Sequence, residues 1–132
     1  MKTEMNIGEM NGAVLAYLGD AVFELTVRRY LIEKGVDEIG RLNREADAMV
    51  RATAQSAAMD KLMPYLSEGE LAAFKRGRNT HSHTVPKSAS VSEYRKATGF
   101  EALFGYLYME KRDSRISELF DIIVAQGKEE EK

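Results

Sequence analysis

From Leu15 to Leu25 the chain reads Leu-Ala-Tyr-Leu-Gly-Asp-Ala-Val-Phe-Glu-Leu, a helical run that is apolar on almost every side. A helix at the centre of a domain carries that pattern, so the expectation is a buried helix around which the other elements assemble. Asp20 sits in its middle. A carboxylate is rarely buried without a partner, so Asp20 either looks out through a gap in the apolar surface or meets a cation. A second apolar run, Phe100 to Tyr108, repeats the anomaly with a single acid, Glu101. The reading that joins the two is a shared divalent cation: hard Mg²⁺ accepts one or two carboxylates and keeps several waters. The competing reading is a structural ion pair, with Arg95 or Arg44 as the cation.

The remaining composition limits the setting. A chain of 132 residues, 44% hydrophobic and 30% charged, is the size of one globular domain. We take it as a single unit, 1–132, with a core over about 11–125 and a charged tail at 128–132. There is no cysteine, which fits a reducing compartment and removes disulfides and thiolate metal sites. No apolar stretch approaches the roughly 18 residues of a membrane span, and Met1 to Met10 lacks the charged-then-apolar order of a signal peptide. The expected location is the cytoplasm, away from membranes. The net charge of −2 argues against nucleic acid, but its distribution does not. Lys75, Arg76, Arg78, Lys87, Arg95 and Lys96 face Glu93 alone within 75–96, a basic segment on an acidic body. Such a segment is either a solvated loop or a phosphate contact.

Periodicity predicts an all-α fold of about five helices. The first is capped near Asn11 and stops at Lys34-Gly35. The second spans Leu42 to Met59 or slightly beyond, with Leu42, Ala46, Met49, Val50, Thr53, Ala57 and Leu62 inward, and is ended by Pro64. The third opens with a capping box, Ser67 and Glu70, and ends near Gly77. Asn79 to Ser88 is read as a mobile loop. Ser90 or Ser92 caps a helix from Glu93 to about Lys111. Ser114 starts the last, which buries Ile116, Leu119, Phe120, Ile123 and Val124. No repeat and no strand-like alternation is visible.

At these residues the chain becomes familiar. Tyr17-Leu18-Gly19-Asp20-Ala21-Val22-Phe23-Glu24 resembles the signature helix of the ribonuclease III family, Leu42 to Gln55 its second motif, and Phe100 to Tyr108 its third. Arg76-Gly77-Arg78-Asn79, Tyr94-Arg95 and Thr98-Gly99-Phe100-Glu101 are similar to the Mini-ribonuclease III subfamily, in which the catalytic domain stands without a double-stranded RNA-binding domain. The resemblance implies the ribonuclease III helical bundle and a homodimeric, Mg²⁺-dependent endonuclease for double-stranded RNA, with Mn²⁺ as a substitute ion. It implies maturation of the large-subunit (23S) ribosomal RNA precursor and 5′-phosphate products, with a ribosomal protein as a candidate partner. It assigns Asp20 and Glu101 as catalytic metal ligands, the metal activating a water for attack on the phosphodiester. Two further acids of the parent family are replaced here by Ala16 and Thr98. Lys75, Arg76, Arg78, Asn79, His81, His83 and Lys87 form the expected RNA-contact segment, which suits recognition of a duplex through phosphates and 2′-hydroxyls. The alternative is a catalytically silent RNA-binding factor of ribosome assembly. Glu24 is expected to be a packing or interface residue, and Thr98 to bond its own helix backbone.

Overall fold

The computed structural model describes residues 6–80 and 89–130, with side chains as far as Ala125. Six α-helices are present: α1 (Gly12–Glu33), α2 (Ile39–Val50), α3 (Ala52–Leu62), α4 (Glu68–Arg78), α5 (Val91–Met109) and α6 (Asp113–Glu130). Short 3₁₀ turns lie at Ile7–Glu9 and Met63–Tyr65, and no strand occurs among the described residues. The all-α expectation holds. Helices α1 and α5 form the central pair; α3 and α4 pack on α5, α2 on α1, and α6 against α3 and α5.

Glycine lets the central pair approach until their backbones touch. A Cβ on Gly19 would stand 1.6 Å from the carbonyl oxygen of Glu101, and one on Gly105 would stand 2.0 Å from that of Leu15. Beside this crossing the core is aromatic. Phe23 meets Phe100 edge-on at 4.8 Å and Phe104 at 5.3 Å, the arrangement that ring quadrupoles favour.

Helix ends follow the predicted chemistry. Asn11 caps α1 through the N–H of Ala13 at 2.7 Å, and Gly35 ends it with φ 98°. Ser67 with Glu70 and Ser90 with Glu93 both close complete capping boxes. Glu70 does more: its buried carboxylate accepts from Arg115 at 2.8 and 2.9 Å and lies 3.6 Å from Arg112. Arg115 also donates to the carbonyl of Tyr65 at 2.7 Å, tying α6 to the start of α4. Burial alone would raise the Glu70 pKa; the Arg115 hydrogen bonds, the Ser67 N–H and the two guanidinium charges together hold it below its ordinary value.

Two expectations are corrected. First, α1 is not buried all round. Leu15, Ala16, Gly19, Val22, Phe23, Val27 and Leu31 face inward, but Tyr17 is 84% exposed and Leu25 68%, with Val14 and Ile32 on the same open side. The helix is apolar on two faces, and this chain covers one of them. Second, the single helix expected from Leu42 to Met59 is broken at Arg51. That residue is extended (φ −65°, ψ 156°), ending α2 and capping α3, while its guanidinium pairs with Asp47 at 2.8 Å. The break rotates α3 relative to α2: Gln55, Ser56, Ala58, Met59 and Leu62 turn inward, and Ala57 points to solvent.

Candidate active site

The glycine crossing of α1 and α5 decides where the acids lie. Gly19 rests on the backbone of Glu101, and its neighbour Asp20 stands on the exposed edge of that contact. Glu101 is partly buried, and the side chains of Asp20 and Gln55 both act on its carboxyl. The two acids singled out in the sequence therefore converge, open to the surface on the Asp20 side. The competing reading, a structural pair with Arg95 or Arg44, is not seen: among the described residues, the ion pairs include neither Asp20 nor Glu101.

The electrostatics record that lack. The Glu101 pKa is pushed up to about 8, first by burial and then by the negative charge of Asp20, with Glu24 adding to the repulsion and the Gln55 hydrogen bond opposing it. Burial beside the Asp20 charge disfavours the ionised form of Glu101, whose carboxyl keeps its proton at neutral pH. A divalent cation is the natural replacement for that proton, and two carboxylates are a hard-oxygen donor set that suits Mg²⁺. No cluster of three or more His, Cys, Asp or Glu side chains able to hold a metal occurs among the described residues. The protein donors here are thus few, leaving positions for water and phosphate.

The neighbouring residues separate into roles. Ala16, 6% exposed, contributes apolar packing. Thr98 donates its hydroxyl to the carbonyl of Tyr94 at 3.0 Å, as expected of a helix threonine. Glu24 is partly buried, faces Arg28 at 3.8 Å and acts electrostatically on Glu101. Gln55, 2% exposed, is a site residue that sequence reasoning missed. The signal was a glutamine inside an apolar stripe, hidden because an unbroken helix would have turned it elsewhere.

The basic segment is only partly described. Lys75 and Asn79 are exposed at the end of α4. Arg78 lies 5.6 Å from the Phe74 ring centre and donates to Asn79 at 3.2 Å. Arg76 is placed differently from the expectation of an RNA contact. Its Nη1 donates to the carbonyls of Gly8, Met10 and Ile7 at 2.6, 2.9 and 3.3 Å, anchoring the N-terminal turn. His81, His83 and Lys87 lie outside the described residues.

A groove of about 680 Å³ between α1 and α6 does not include the acid pair. It is lined by Leu18, Leu25, Tyr30, Tyr108 and Phe120 among others, and continues the open apolar side of α1.

A small helical domain with two carboxyls brought together at a helix crossing presents hard-oxygen groups at an open edge. The family profile of the Ribonuclease III domain matches residues 13–112. The chain belongs to the ribonuclease III family, a family of RNA-cutting hydrolases, and within it groups with the Mini-ribonuclease 3 proteins. Mini-ribonuclease 3 of Clostridium tetani is 43% identical over 92% of this chain and 82% of its own length. That of Symbiobacterium thermophilum is 50% identical over 80% and 81%. A crystal structure of a Fusobacterium nucleatum protein, 35% identical, superposes with a TM-score of 0.81 over 89% of this chain and 95% of that one.

Proposed function

We propose that this chain is a Mg²⁺-dependent endoribonuclease that cuts double-stranded RNA, with the precursor of large-subunit (23S) ribosomal RNA as its substrate in the cytoplasm. The observation that carries the reading is the convergence of Asp20 and Glu101 without an ion-pair partner among the described residues. Asp20 and Glu101 would hold the metal, with Mn²⁺ as a workable substitute. Bound there, the ion supplies activation of a water and stabilisation of charge on the scissile phosphate. The protein's part is to fix two carboxylates at an open edge, where a phosphate has room to enter. The silent-factor alternative gives such a costly like-charged pair nothing to do.

The RNA-contact segment begins with Lys75, Arg78 and Asn79 and continues in sequence through His81, His83 and Lys87. Exposed cations and small polar donors suit the backbone of an A-form duplex. Arg76 supports this segment by fixing the base of α4. A second copy of the chain is proposed to cover the open side of α1, giving a twofold dimer with one acid pair per protomer. A ribosomal protein bound to the precursor is a candidate for presenting the substrate.

The test is Asp20→Asn with Mg²⁺ and a duplex RNA. Cutting is expected to fall by roughly 10²-fold or more while binding persists; undiminished cutting would remove Asp20 as a ligand. Replacing Lys75 and Arg78 with alanine is expected to weaken binding and flatten its dependence on salt.

A further inference from the structure

We propose that the N-terminal 3₁₀ turn Ile7–Glu9, with Met10 after it, is a strap that sets the RNA-contact end of α4 against the acid-bearing crossing of α1 and α5, and that Arg76 is the positioning residue that fastens it. The proposal rests on the reading of the exposed end of α4 as an RNA contact.

The fastening is a guanidinium among carbonyls. Nη1 of Arg76 donates to those of Gly8 at 2.6 Å, Met10 at 2.9 Å and Ile7 at 3.3 Å, all 66 to 69 residues earlier in the chain. The group is drawn in far enough that its Nε is buried with no hydrogen-bond partner, a placement that costs stability unless the contacts beside it offset the loss. Among the described residues, no ion pair includes Arg76. Carbonyl dipoles hold a guanidinium without neutralising it, and arginine does not give up its proton in a protein. The contact therefore fixes the chain and leaves a positive charge at the basic end of α4.

Arg76 also stands where three helices meet. A Cβ on Gly12 would lie 2.2 Å from the Arg76 carbonyl oxygen, so the start of α1 rests on this turn of α4. A Cβ on Gly77 would lie 2.5 Å from that of Ala102 and 2.9 Å from the Thr98 carbonyl oxygen, so the same turn rests on the part of α5 that bears Glu101. Thr80 donates its hydroxyl to the Arg76 carbonyl at 3.0 Å and carries the tie past Asn79. The strap reaches the crossing by a second route, because Met10 packs against the small core of Leu15, Ala16 and Ala102. Ala102 adjoins Glu101, and Ala16 is one turn before Asp20. One short segment thus touches both halves of the site, the cations of α4 through Arg76 and the helices of the acids through Met10. Helix ends fray unless they are tied, and Lys75, Arg78 and Asn79 stand on the end that this strap ties.

The test deletes residues 2–10, which leaves Met1 directly before the Asn11 cap of α1. The deletion removes one lysine and two glutamates, so charge alone predicts duplex RNA binding equal to the parent's or tighter. The strap predicts the opposite: affinity weaker by about tenfold or more, a shallower dependence on salt, and a matching loss of single-turnover cutting at subsaturating RNA, all measured well below the Tm of either protein. Parental affinity and salt dependence with only a lowered Tm would make the turn a packing element and overturn the proposal. If the deletion folds poorly, the double variant Arg76→Lys with Met10→Ser decides, since it keeps every charge while loosening both fastenings. Hydrogen exchange in its N-terminal turn should rise and its RNA affinity fall; parental affinity there is equally fatal. Should the parent itself neither bind nor cut duplex RNA, the RNA reading fails and the strap with it. Should alanine at Lys75 and Arg78 weaken binding while the deletion does not, that reading stands and the strap alone falls.

Discussion

At the scale of single residues, Glu101 shows what holding the site costs the fold. Its carboxyl is ordinary in the unfolded chain but pushed up to about 8 in the fold, first by burial and then by Asp20. The folded state therefore retains a proton that the unfolded state has released. Stability of the metal-free protein must fall as pH rises from the ordinary carboxylate range toward 8, at up to about 1.4 kcal/mol per pH unit. Thermal scans in EDTA are expected to show this decline between pH 5 and 8. Glu101→Gln, which removes the titrating group, is expected to be the more stable protein at pH 8 while having lost cutting. Added Mg²⁺ should raise the midpoint of the parent and leave that of Glu101→Gln unchanged. A flat profile for the parent would mean that the Glu101 carboxyl does not keep its proton in the fold. Glu70 makes the opposite case. Its depressed pKa contributes stability above the ordinary carboxylate range that is lost as pH falls through the folded value. Arg115→Met should shrink the acid-side part of the profile and cost about 3 kcal/mol, because a buried carboxylate loses the guanidinium that donates to both its oxygens and keeps only Arg112 and the Ser67 N–H.

At the scale of elements, the site is a property of how α1 crosses α5, and Gly19 is the residue to change. An added methyl would stand 1.6 Å from the Glu101 carbonyl oxygen, and the obstacle is backbone, which cannot rotate away. Gly19→Ala must therefore push the two helices apart. Overpacking of this kind costs about 1–3 kcal/mol, visible as a lowered Tm, and it separates Asp20 from Glu101, so the metal-induced rise in Tm should vanish in the same variant. An alanine variant with parental Tm and cutting would contradict the crossing. Much at this scale was legible in the chain: the Ser67–Glu70 capping box, a serine cap at Ser90 or Ser92, the Gly35 stop and the two acid-bearing runs each depend on local chemistry that a few adjacent residues carry. The break at Arg51 was not. No glycine or proline marks it, and its cause is tertiary, since α3 must turn to lie on α5. Gln55 was lost with it, because a rotation of the helix changes every inward position beyond the break. Arg76 was misplaced for a related reason: charge and spacing show a cation, while its partners, the carbonyls of Ile7, Gly8 and Met10, are distant in sequence.

At the scale of the whole molecule, the open side of α1 is what remains to be covered. The apolar run from Leu15 to Leu25 led to the expectation of burial on nearly every side, which this chain meets on one face only; a sequence does not say whether its own chain or another supplies the cover. Val14, Tyr17, Leu25 and Ile32 lie exposed along one side, beside the groove that α6 borders, an arrangement soluble monomers seldom leave open. If a second copy covers it, Tyr17→Asp with Leu25→Asp should give a folded species of half the parent's mass in sedimentation, because charges at the centre of an isologous contact meet their own images. A sharper consequence concerns the cut itself. Each protomer carries one acid pair, so a dimer on a duplex brings one pair to each strand. Mixing the parent with Asp20→Asn and allowing subunits to exchange creates dimers with a single intact pair. Those dimers are expected to nick: one strand appears cut on a denaturing gel while the duplex stays whole on a native gel. A monomer acting alone predicts instead that the mixture makes the parent's products in the parent's proportions, only more slowly. The nicked duplex is thus the species that separates a twofold machine from two independent blades, and its absence after confirmed exchange would detach the open face of α1 from catalysis.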